Sequence, residues 1–176
     1  MKNAIASRLS LFTSTSLAAA LMSVGVSSAS PMPSARDLDV LGSSQGNGRQ
    51  SGNLTAEVNQ AENNSQGNLL SVTWSIENTG TERVVLTWLE GKTYTYSGAN
   101  YAGVTITQSN GGTRYHPVMD GSGECLCSGD NSSTFRERIE PGEKISYWSM
   151  FSVPTGVERI SVEIPGFDPI EDIPIS

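Results

Sequence analysis

Residues Leu70 to Glu77 read LSVTWSIE, and their strict alternation decides the fold. Leu70, Val72, Trp74 and Ile76 fall on one face; Ser71, Thr73, Ser75 and Glu77 fall on the other. A period of two is that of a β-strand with one buried face. The Ser, Thr and Glu side places it in an antiparallel sheet with one wet side. On the N-terminal side, Leu54, Ala56 and Val58 alternate with Thr55, Glu57 and Asn59 as a second strand, and a polar turn over 62–68 joins the two.

Beyond Glu77, Asn78-Thr79-Gly80-Thr81 has turn composition. Arg83 to Leu89 alternates with apolar residues on both faces, which predicts a central strand, and Lys92 to Tyr96 (KTYTY) predicts a short one. Val104 and Ile106 lead into Asn110-Gly111-Gly112, a tight hairpin signal, with Tyr115, Pro117 and Val118 on the return arm. Thr134 to Ile139 predicts a strand with Phe135 inward, and Glu140-Pro141-Gly142-Glu143 predicts a turn. Ile145 to Val153 and Arg159 to Ile164 predict two more strands. The prolines at 165, 169 and 174 and Gly166 mark a final edge segment. Short strands with regular turns and no period of 3.6 predict an all-β antiparallel sandwich of about seven strands, a closed barrel being the alternative. Trp74, Trp88, Trp148, Phe135, Phe151 and Tyr147 are its predicted core.

The N-terminus carries a different signal. Lys2 and Arg8 precede an apolar run ending LAAALMSVGV, and Ser27-Ser28-Ala29 supplies small residues before Pro31. This reads as a secretory signal peptide over 1–29, cleaved near Ala29 or Ser30, with Ala35 a second position. The run is broken by Thr13, Ser14, Thr15 and Ser16, which leaves it short of the ~20 residues of a membrane span. No Cys follows it, so no lipid anchor is expected. Residues 30–52 are rich in Ser, Gly, Pro, Asn and Gln and read as a flexible leader, so the folded part is expected over 53–176. Losing Lys2 and Arg8 from eleven basic residues leaves nine against eighteen acidic ones, so the net charge moves from -7 to -9. Such a surface repels phosphate backbones and anionic lipids, so nucleic acid and membrane partners are not expected.

Chemistry concentrates in Thr113 to Asn131, TRYHPVMDGSGECLCSGDN, with the chain's one His and both its cysteines. Three readings compete. Cys125 and Cys127 can close a disulfide, since exported thiols oxidise and neither has another partner. The ring is small, so its entropic stabilisation is modest, and an exposed strained bridge would be easily reduced. Alternatively, His116, Met119, Cys125 and Cys127 are soft ligands suited to Cu(I), or to Zn(II) with a carboxylate in place of Met. C-x-C matches no established zinc spacing. The acids Asp120, Glu124 and Asp130 suggest Ca²⁺, but Cys125 stands where an EF-hand loop starting at Asp120 needs Gly. As an active site, a Cys–His dyad would need a free thiolate, and no G-x-S-x-G is present. Tyr115, His116, Asp120 and Glu124 are candidate binding residues, and Tyr94, Tyr96 and Tyr101 are a candidate stacking face or ordinary packing.

The set SVTWSIENTG, RYHPV, ECLCS, IEPGEKISYWSMFSVP and ERISVEIPGFDPIEDIPIS resembles a secreted actinobacterial immunoglobulin-like domain of unknown function. That type, with its CLCS and PGF elements, stands alone or precedes an outer-membrane-protein-A-like domain. The resemblance covers roughly 69–176 and brings no catalytic residues with it. It implies an immunoglobulin-like sandwich and export. The combined expectation is a non-catalytic, cofactor-free module that binds an unknown protein or cell-envelope component, extracellularly or at the envelope. The alternative is a Cu, Zn or thiol-redox protein using the Cys125/Cys127 loop.

Overall fold

A computed structural model of the chain describes residues 34–109, 112–133 and 135–176. The signal-peptide segment and the hairpin tip at Asn110-Gly111 lie outside the described residues. Ten strands follow in order: β1 (Gly42–Gln45), β2 (Leu54–Asn63), β3 (Leu69–Asn78), β4 (Val84–Val85), β5 (Thr105–Gln108), β6 (Arg114–Tyr115), β7 (Arg138–Ile139), β8 (Lys144–Ser152), β9 (Arg159–Glu163) and β10 (Ile170–Pro174). Seven of them have four residues or more. All pairings between these strands are antiparallel. One sheet runs β1-β2-β3-β8, the other β10-β9-β5-β6, and β4 and β7 form a two-stranded piece. The chain is an all-β antiparallel sandwich.

β3 sits between β2 and β8, and its apolar face is fully buried at Leu70, Val72, Trp74 and Ile76. Opposite it, β5, β9 and β10 contribute Ile106, Ile160, Val162 and Ile173, so both sheets fill one core. Trp74 and Tyr147 are direct cross-strand partners with ring centroids 4.8 Å apart. Tyr101 packs edge-on to Tyr147 at 5.1 Å, and both hydroxyls donate to the Arg136 carbonyl. Aromatic pairs in such tilted arrangements add stabilisation beyond their buried area. Glu140–Glu143 is the expected turn: Glu143 N–H donates to the Glu140 carbonyl, and Gly142 has φ 71°. Pro at its second position and Gly at its third is the type II pattern.

Several local expectations are overturned. The segment read as a flexible leader carries β1, paired with β2, and Asn47 N–H donates to the Gly166 carbonyl. Composition missed it because β1 (GSSQ) holds no apolar side chain. Its place depends on the smallness of Gly42, where a Cβ would come within 2.7 Å of Ile170 and 2.9 Å of Ile173. Arg83 to Leu89 is not a central strand: only Val84–Val85 pairs, with β7, and Thr87–Leu89 is a 3-10 turn. Leu86 and Leu89, three apart, are both fully buried, a helical spacing inside what reads as alternation. Lys92 to Tyr96 forms no strand, and among the described residues of the predicted strand over 134–139 only Arg138–Ile139 is one. In the core, Trp74, Tyr147 and Phe151 are buried as expected, and Trp88, Trp148 and Phe135 are only half-buried.

The outer face of the first sheet is also drier than expected. Ser75 is fully buried there. Glu57 of β2 and Lys144 of β8 pair across β3, and Arg36 of the 3-10 turn Ala35–Asp37 reaches Glu77 and the Gly142 carbonyl.

Candidate functional site

The cysteine loop lies along the edge of β8 that β3 leaves open. Val118 N–H donates to the Met150 carbonyl, Met150 N–H to Leu126, and Ser128 N–H to Trp148. Met119 and Cys125 pair as a bridge, and the segment between them is a tight turn built on one acid. Asp120 Oδ1 accepts from the backbone N–H of Ser122 at 2.8 Å and of Glu124 at 2.9 Å. The loop therefore covers backbone groups that an edge strand would otherwise expose.

Cys125 and Cys127 are disulfide-bonded, with Cα atoms 5.2 Å apart. The bridge is not exposed: the two residues are 6% and 1% accessible and pack with Ala102 against Tyr96. A strained, exposed bridge would be easily reduced; this one is buried. The remaining acids are also engaged, since Glu124 accepts from the Asn131 amide at 2.8 Å and Asp130 from Ala99 N–H at 3.0 Å. Among the described residues, no three His, Cys, Asp or Glu side chains converge as a metal-binding group.

His116 and Met119 line a groove beside the loop. The groove holds about 340 Å³ and is flanked by Tyr94, Tyr96, Tyr115, His116 and Met119. Tyr94 stands edge-on to the His116 ring at 4.9 Å and to Tyr96 at 6.2 Å. Tyr96 is anchored by its hydroxyl, which donates to the Pro117 carbonyl at 2.7 Å. Tyr94 remains 52% exposed and Met119 40%. Of the three tyrosines proposed as a stacking face, Tyr101 is instead in the core at 1% exposure.

On the other side of His116 lies a second cleft of about 430 Å³, lined by Trp88, Glu90, Lys92, Arg114, His116 and Glu163, among others. Arg114 and His116 line both spaces, so the two are neighbours at β6 and the residue after it. Arg114 Nη2 pairs with Glu163 Oε2 at 2.5 Å across the β6-β5-β9 sheet. Desolvation first, and then the Arg114 charge, push the His116 pKa below its ordinary value; Glu163 opposes this in part. The shift favours the neutral imidazole, in which one nitrogen is a donor and the other an acceptor. Trp88, Glu90, Lys92 and Glu163 carry no motif in the sequence. Glu163 comes from β9 and the other three from the turn segment after β4, which is held in place by contacts such as Gly103 N–H donating to the Leu89 carbonyl.

The chain matches no known protein family, and no curated protein sequence matches it. Among solved structures it is similar to a functionally unknown protein from Listeria monocytogenes EGD-e, with 13% identity and a TM-score of 0.40, over 78% of this chain and 85% of that one. That likeness carries no argument about function.

Proposed function

We propose that this chain is an exported, non-catalytic binding module of immunoglobulin-like architecture, acting on a partner at the cell envelope or in the medium. The strand order supports the architecture. β2-β3-β8 runs as A-B-E and β10-β9-β5 as G-F-C in an immunoglobulin sandwich, with β1 added outside. A buried disulfide in an acidic chain fits an oxidising compartment.

One observation carries the binding role. Tyr94 and Met119, two of the five exposed large hydrophobic residues among those described, flank one groove next to a loop held by a disulfide. Exposed apolar groups gathered on one concave surface with a rigid edge mark interaction sites more than scattered ones do. The Cu or Zn alternative has less support because the sulfurs it needs are bonded to each other, and the thiol-redox alternative because the bridge is buried from an attacking thiol.

A photo-crosslinking amino acid at Tyr94, in the full chain expressed in its own host, tests the reading. Val85, another exposed apolar residue and one on the separate β4-β7 piece, is the control position. A specific adduct from position 94 and none from position 85 is expected. Absence of an adduct at 94, or the same adducts from both, contradicts it.

A further inference from the structure

Resting on the reading of this chain as a binding module, we propose that the cleft beside Trp88 takes a neutral, hydroxyl-rich oligosaccharide whose chain continues over His116 into the Tyr94 groove.

The first argument is charge. The chain as a whole is strongly acidic, at -7, yet this cleft is balanced: Glu90 and Glu163 face Lys92 and Arg114. A phosphate or polyanion would meet two carboxylates, and a cation would meet a guanidinium and an ammonium. A neutral ligand with many hydrogen-bonding groups meets neither obstacle.

The second argument is the kind of polar groups present. Arg114 and Glu163 are joined through one oxygen, Oε2, and no described residue donates to Oε1. The pair therefore offers a fork of N–H donors beside an open acceptor. Neighbouring sugar hydroxyls each carry one donor and two acceptor positions, so a vicinal pair can donate to the carboxylate while accepting from the guanidinium. Neutral His116 adds one more donor and one more acceptor.

The third argument is the apolar wall. Trp88 packs against Phe167 with centroids 6.3 Å apart, and Gly166 holds its edge closely enough that a Cβ there would lie 3.0 Å from Cζ3. Its indole Nε1 is shielded and has no partner among the described residues, so the N–H is not what Trp88 presents to the cleft. A fixed hydrocarbon ring surface beside paired donors and acceptors suits a sugar, which has C–H faces and hydroxyl edges. The second space beyond His116, with Tyr94 exposed on its rim, extends the site to more than one ring.

The test is an NMR titration of the isotope-labelled full chain with neutral hexasaccharides of the glucan, xylan, mannan and N-acetylglucosamine types and their monosaccharides. The Trp88 indole, the His116 ring and the amides of Arg114 and Glu163 report on the site. Expected are saturable shifts at these positions with at least one hexasaccharide, unchanged by raising the salt, and binding at least about tenfold weaker for the corresponding monosaccharide. Trp88→Ala should weaken binding about tenfold or more. Glu163→Gln, at an exposed ion pair where folding is not at stake, should weaken it as well. No shift with any of the saccharides, or variants that bind as tightly as the parent, overturns the proposal. If the saccharides fail but crosslinking at Tyr94 captures a specific protein, the ligand class falls and the binding module stands. If both fail, both fall.

Discussion

Ser149 ties the core to the cysteine loop, and its removal is the sharpest test of that packing. It lies in β8, pairs with Val72 on one side, and bridges to Cys127 on the other. Its hydroxyl accepts the indole N–H of Trp74 at 3.2 Å, and both residues are 0% exposed. Ser149→Ala keeps the backbone ladder and leaves that N–H with no water and no partner. An orphaned buried donor costs about 1–3 kcal/mol. With an m-value of about 2 kcal/mol/M, the urea midpoint should fall by roughly 0.5–1.5 M. Trp74→Phe removes the donor, so Ser149→Ala made in that background should cost less than about 0.5 kcal/mol, a coupling of about 0.5 kcal/mol or more. Urea unfolding followed by fluorescence and circular dichroism gives all four corners of the cycle. A single-variant cost below about 0.5 kcal/mol, or equal costs in the two backgrounds, refutes the argument.

Three further outcomes follow from other parts of the fold. Burial pushes the Tyr101 and Tyr147 hydroxyls well above the usual tyrosine range. The unfolded chain therefore ionises first, and stability present below pH 10 is lost above it, by about 1.4 kcal/mol per pH unit for each group; Tyr147→Phe should flatten the dependence measured from pH 9 to 11. Lys144 and Glu57 pair with side chains only 8% and 13% exposed, so Glu57→Gln should cost about 2–3 kcal/mol, and a joint Lys144→Met, Glu57→Leu replacement should recover most of it in thermal melts. Deleting the disulfide as Cys125→Ala/Cys127→Ala opens a ring of sequence separation 2. The chain-entropy loss is about 1.5 kcal/mol, or roughly 6 °C in Tm, and hydrogen exchange should quicken at Val118 and Leu126 before the central strands.

The strands visible in the sequence are those whose own side chains alternate against a core. β3 and β8 show this at Trp74 and Phe151, and β9 at Ile160 and Val162, all buried. What stayed hidden owes its structure to partners. β1 is a strand because β2 offers an edge and because Gly42 leaves room for Ile170 and Ile173. Leu86 and Leu89 belong to a short turn whose spacing a reading of alternate residues absorbs. The site divides the same way. The pairing of Cys125 with Cys127 is forced by the absence of any other cysteine. Their burial is not, because it depends on Ala102 and Tyr96 packing from a distant segment. Acids that looked available for a cation are consumed by local turns, as Asp120 shows. Arg114 and Glu163 lie far apart in sequence and meet through the pairing of β5 with β6 and β9, and Trp88 joins them from its 3-10 turn by packing on Phe167.

The central claim is that the cysteine loop is a clamp and that recognition belongs to the surface beside it. Native intact-mass analysis of the exported protein, alone and after incubation with Cu(I) and with Zn(II), tests this most directly. The account predicts a mass two hydrogens below that of the thiol form, with no metal retained. A protein with free thiols at Cys125 and Cys127 that holds one metal ion stoichiometrically would contradict it.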